Sequence, residues 1–165
     1  MKFTCTYTQS EKLLRQFYYN VKMKGVKKWW WLGLLLVAGS TALYLYSRDP
    51  FDLLFLALGV SYGAKELSAP YRAAHKDYDK LLGKYGAEMP ETTVTVDAER
   101  AVLSVDNEET ILLLDDVLGL YFCKDSIILH GYSEDIILAH EGIDNQDEIK
   151  AFLQKYCRNA PIYKR

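Results

Sequence analysis

Cysteine is scarce and poorly placed for cross-linking. Cys5, Cys123 and Cys157 are odd in number and far apart, so they frame neither a disulfide set nor a zinc site, and reduced thiols are the expectation. Catalytic signatures are missing too: the chain carries no P-loop, no G-x-S-x-G, no dinucleotide fingerprint and no HExxH. Positive charge is short in the distal half. Residues 87–165 hold 7 Lys/Arg against 16 Asp/Glu, a net of -9, whereas residues 1–86 hold 13 against 6, a net of +7. An acidic domain is repelled by phosphate, which sets nucleic acid aside. Charge of either sign is absent from Trp29 to Tyr46.

That uncharged run is 18 residues, about 27 Å as a helix, against a hydrocarbon core of about 30 Å. Trp29, Trp30 and Trp31 stand at one end and Tyr44 and Tyr46 at the other, as interfacial aromatics do. Ser47-Arg48-Asp49-Pro50 turns the chain, and a shorter apolar run, Phe51 to Ala64, follows and carries Asp52. The expectation is a two-helix transmembrane hairpin over residues 29–67. Lys22, Lys24, Lys27 and Lys28 before it, and Lys65, Arg72 and Lys76 after it, put both termini in the cytosol by the positive-inside rule. The chain then reads as a multi-pass protein of the cytoplasmic (inner) membrane, and the late start of the apolar run argues against a cleaved signal peptide. The cations, with the Trp triplet, form a basic collar suited to anionic lipid. Gly59 and Gly63 make a G-x-x-x-G that lets helices approach closely, either against Ala38 and Ala42 within the hairpin or in a homodimer.

Elsewhere the periods are shorter. Phe3–Tyr7 reads as a strand, and Thr8-x-x-Glu11 as a capping box for a helix whose stripe is Leu13, Leu14, Phe17, Tyr18 and Val21. Residues 9–28 are thus an amphipathic juxtamembrane helix. Pro70 breaks or kinks the next helix, after which Tyr71, Ala74, Tyr78, Leu81 and Tyr85 form a seam for a stalk over 70–86, with the stripe on residues 13–21 as its partner. From Thr92 six strands at roughly ten-residue spacing predict a meander curling into a barrel or bent sheet. Asp144 or Asn145 caps a last helix with the stripe Ile149, Phe152, Leu153 and Tyr156.

This order of elements, and residues 112–156 (LLLDDVLGLYFCKDSIILHGYSEDIILAHEGIDNQDEIKAFLQKY) above all, resembles the YcxB-like family of small bacterial membrane proteins. Ala139-His140-Glu141 stands where that family has a Pro-Lys pair. The resemblance implies an α+β membrane protein. Its cytosolic part, residues 87–165, would be pleckstrin-homology-like: a bent antiparallel sheet or barrel closed by a C-terminal helix. Residues 1–8 would join that sheet, and the hairpin would be an insertion after the first strand.

His130, Glu134, Asp135, His140 and Glu141 cluster in sequence, and Asp115-Asp116 are adjacent. Strand ends and turns are rich in such residues, so no metal, cofactor or catalytic residue is assigned. Acidic sheet turns such as Asp97-Ala98-Glu99-Arg100 also argue against a phosphate site there. Two functions remain. The first is a non-enzymatic, membrane-tethered module whose acidic domain binds a protein partner, in a regulatory or toxin-immunity role. The alternative is an accessory protein that binds or senses membrane lipid through the collar.

Overall fold

The computed structural model describes residues 2–22, 30–86 and 88–164. Strand β1 is Phe3–Thr8, and helix α1, Glu11–Phe17, runs on into a π-turn over Tyr18–Lys22. Helix α2 is Trp30–Ser47 and α3 is Pro50–Tyr85. Then come β2 Glu91–Val96, β3 Arg100–Val105, β4 Glu108–Leu113, β5 Val117–Phe122, β6 Ser126–Gly131 and β7 Asp135–Ala139. Helix α4 is Gln146–Tyr156, and β8 is Ile162–Lys164.

The strands make two four-stranded sheets, ordered β1-β2-β3-β4 and β7-β6-β5-β8. β1 pairs antiparallel with β2 along its whole length, Phe3 opposite Val96 and Thr8 opposite Glu91. The β3–β4 hairpin turns on Asp106 and Asn107, both with positive φ, the backbone a two-residue hairpin needs and Asp/Asn tolerate. β8 lies parallel to β5. No barrel closes. At one corner β1 meets β7 through side chains instead: the Tyr7 hydroxyl donates to the Ile137 carbonyl at 2.6 Å and the Cys5 thiol to Ala139 O at 3.3 Å.

Alternation explains the core. On the first sheet Cys5, Val94, Val96, Ala101 and Leu112 point inward. They meet Leu120, Phe122, Ile127, Leu129, Ile136 and Leu138 of the second sheet, and Ile149, Phe152 and Leu153 of α4. The second sheet is buried on its other face as well, where Tyr121, Cys123, Ile128 and Ile137 pack on Phe17 and Val21. That is why SIIL (126–129) is apolar at consecutive positions. ILLL (111–114) is not such a case: Leu112 and Leu114 are buried, Ile111 and Leu113 exposed.

Four expectations need correction. Among the described residues no helix is long and apolar enough to cross a membrane. α2 is 18 residues, about 27 Å, and carries Gly39, Ser40 and Thr41 at its middle. The apolar part of α3 is only the 14 residues Phe51–Ala64, about 21 Å, before Lys65. Both fall short of about 30 Å. The transmembrane hairpin therefore gives way to a plain helical hairpin, and the multi-pass inner-membrane location falls with it. Second, two open sheets replace the barrel. Third, Pro70 does not break α3, which runs through it; nearby, Ser68 Oγ donates to Ala64 O and Arg72 Nη2 to Lys65 O. Fourth, the cap of α1 is Ser10, whose hydroxyl accepts from Leu13 N, not Thr8, which still belongs to β1.

The corner between β1 and the turn after β7 leaves no room for a side chain at Gly142. A Cβ there would lie 2.4 Å from Thr6 O and 2.9 Å from Cys5 Sγ. Gly142→Ala is expected to lower unfolding stability by about 1–3 kcal/mol, read by denaturant titration.

Candidate interaction surface

The hairpin of α2 and α3 is joined by a tight turn. Arg48 takes a positive φ and donates its N–H to Tyr44 O. Asp49 caps α3 by accepting from Phe51 N at 2.9 Å, with Pro50 in the first helical turn. Where the helices touch, Gly59 is buried, and a Cβ on it would sit 3.1 Å from Leu36 Cβ and 3.2 Å from Val37 N. Close helix contact thus depends on Gly59. Gly63, one turn on, has nothing within 4 Å, and Ala38 and Ala42 are exposed. Of the four expected packing residues only Gly59 is at the contact, and it meets Leu36 and Val37.

The outward surface is the anomaly. Leu35 is 63%, Leu45 72%, Phe51 67% and Leu58 64% exposed. Apolar residues surround the whole circumference of α2, the pattern of a helix covered on all sides. Its hydroxyls add little polarity, because Ser40 donates to Leu36 O and Thr41 to Val37 O, both at 2.6 Å. Twelve Leu, Val and Phe side chains between Leu32 and Val60 stand exposed in this way. Together they leave on the order of 1,000 Å² of apolar surface uncovered, beyond the few hundred Å² common on monomers.

Of the collar residues, Trp31, Lys65 and Arg72 are exposed. Lys24, Lys27, Lys28 and Trp29 lie outside the described residues, as do the side chains of Lys22 and Trp30.

The rest of α3 holds the hairpin to the sheets through α1. The Tyr18 hydroxyl donates to Asp77. Arg15 lies over the Tyr71 ring at 5.5 Å, and His75 faces Glu11 at 3.5 Å. On its other side α1 grips the β5–β6 turn. Gln16 Nε2 donates to Asp125 at 2.5 Å, Ser126 Oγ donates to Gln16 Oε1 at 3.0 Å, and Lys12 pairs with Asp125 at 3.0 Å. Lys80, Tyr18 and their neighbours hold the Asp77 carboxyl below its usual range, while burial and Asp77 push Tyr18 up to about 12. The apolar stripes of residues 13–21 and 71–85 point to the packing of α1 on α3, but not to the polar grip on Asp125. Its only signal is Gln16, a polar group inside an apolar stripe.

Chemistry is sparse. His130 and Asp135 oppose each other across β6 and β7, with Nδ1 to Oδ1 at 2.5 Å. Asp135 therefore orients the ring. His140 is brought elsewhere: its Nδ1–H donates to Lys124 O at 3.0 Å, and its buried Nε2 has no hydrogen-bond partner among the described residues. Asp115 and Asp116 are exposed in a 3₁₀ turn. Among the described residues no three His, Cys, Asp or Glu converge on a metal position. The three thiols are buried and not in disulfides, and burial pushes Cys5 and Cys157 up to about 11, which suppresses the thiolate.

The chain matches no family model, no curated protein and no solved structure.

Burial holds His140 below its ordinary 6.5, so as pH falls from 7.5 to 5.5 the unfolded chain gains a proton there before the folded chain does. Stability present at pH 7.5 is then lost. The urea midpoint is expected to drop over this window, and His140→Gln to flatten the drop. For the thiols, iodoacetamide at pH 8 is expected to leave Cys5 and Cys157 unmodified in the native chain and to alkylate both in 6 M guanidinium, read by mass spectrometry.

Proposed function

We propose that this chain is a non-enzymatic protein-interaction module in which the sheets, through the α1 clamp, hold out an apolar helical hairpin for a protein partner. One observation carries the reading: α2 is apolar on every side, yet among the described residues its main packing is with α3. At about 25 cal/mol per Å², the uncovered surface represents about 25 kcal/mol of unrealised burial. That exceeds the 5–15 kcal/mol by which a typical domain is stable. It also matches the area of about 800 Å² that one partner brings to a standard interface. A partner with an apolar helical surface fits, and a second copy of the chain supplies one. The acidic distal half favours a basic partner and disfavours nucleic acid. The resemblance to the YcxB-like family rests on the order of elements and residues 112–156, and names no chemistry.

A second reading has its own support. Lys65 and Arg72 are exposed beside the apolar part of α3, a juxtaposition suited to an anionic lipid surface as partner.

Sedimentation of the full chain distinguishes the two. On the protein reading, association persists without lipid and is lost in the double variant Leu35→Glu/Leu58→Glu, while 500 mM salt changes it less than twofold. Association that requires phosphatidylglycerol vesicles, and falls at least tenfold with salt or in Lys65→Gln/Arg72→Gln, would replace it with the lipid reading.

A further inference from the structure

Away from the hairpin, a cavity of about 160 Å³ opens where the C-terminal end of α3 meets both sheets. Leu81 and Tyr85 of α3, Met89, Tyr7, Leu103 and Ile137 give it apolar walls, and Gln9, Thr92 and Asp135 are the polar groups among its lining. We propose that this cavity binds a small organic ammonium ion with an apolar body of about six carbons, its head held by Asp135 and Gln9.

Size sets the body. An apolar cavity of about 150 Å³ takes a molecule the size of benzene. The polar groups set the head. The Tyr7 proton is committed to Ile137 O, so it is not offered to a ligand. No side-chain hydrogen bond joins Gln9 to any described residue, so its amide oxygen can accept from an N–H. Asp135 is fixed by His130 at 2.5 Å, and a carboxylate accepts up to about four hydrogen bonds, so a further donor can be added to those it receives. An ionised carboxylate offers acceptors only and repels an anionic head. Lys84, the nearby cation against the Tyr85 ring at 4.8 Å, is paired with Glu108 at 3.5 Å. Tyr7 and Tyr85 are in the lining, aromatic rings attract cations, and the net charge of -9 over residues 87–165 draws one in.

Calorimetric titration of the full chain with n-hexylammonium, n-hexanol and hexanoate tests this independently of what the hairpin binds. Hexylammonium is expected to bind at least tenfold more tightly than hexanoate. Asp135→Asn is expected to remove that preference, and Gln9→Ala to weaken hexylammonium at least threefold with hexanol unchanged. Leu81→Trp, which fills the cavity, is expected to abolish binding of hexylammonium and hexanol. Equal binding of hexanoate, no binding of hexylammonium, or uptake that survives Leu81→Trp would each overturn the assignment, the last because the ligand would be bound elsewhere, as on the exposed hairpin.

Discussion

The second sheet has to be covered on both faces, and most of the architecture answers that demand. Ile127, Leu129, Ile136 and Leu138 face the first sheet, while Ile128 and Ile137 face the other way. Neither set can meet water without losing about 1.5–3 kcal/mol per side chain. The first sheet and α4 cover one face. Phe17 and Val21, on α1 and its π-turn, cover the other. Because α1 is thereby fixed, its remaining polar groups can hold α3 through Asp77 and His75, and the β5–β6 turn through Asp125.

The hairpin follows a different logic. Its two helices satisfy their backbone hydrogen bonds internally and need each other only along one line, centred on Gly59. Their side chains are those of a buried element, but the described residues leave much of that surface exposed. The molecule thus joins one unit whose apolar side chains are largely buried to another whose apolar side chains are largely exposed.

The sheet region was the more legible part in sequence. Thr92–Val96 alternates, and its even positions are buried as β2. Ile149, Phe152 and Leu153 recur at helical spacing and are the buried face of α4, capped by Asn145. β8 escaped notice because three residues after Pro161 show no periodicity, and its order comes from pairing with β5. Thr8 looked like a cap because capping motifs are local, whereas its place in β1 is set by distant Glu91. In the hairpin, an uncharged run of 18 residues between aromatic ends suggested a span, but among the described residues no helix is both long and apolar enough to make one. The grip on the β5–β6 turn and the cavity were hidden because Gln16 meets Asp125, and Gln9 and Asp135 come to line one cavity, only once the chain has folded.

The pairing of β1 with β2 also imposes an order in time. Phe3 waits for Val96, so at roughly 5–20 residues per second the first sheet cannot begin to form until on the order of ten seconds after synthesis of β1. Both helices of the hairpin are made in that interval, before any sheet exists to support them. A nascent chain therefore displays its most apolar segment first and its stabilising domain last, and whatever shields that segment has the whole interval in which to reach it.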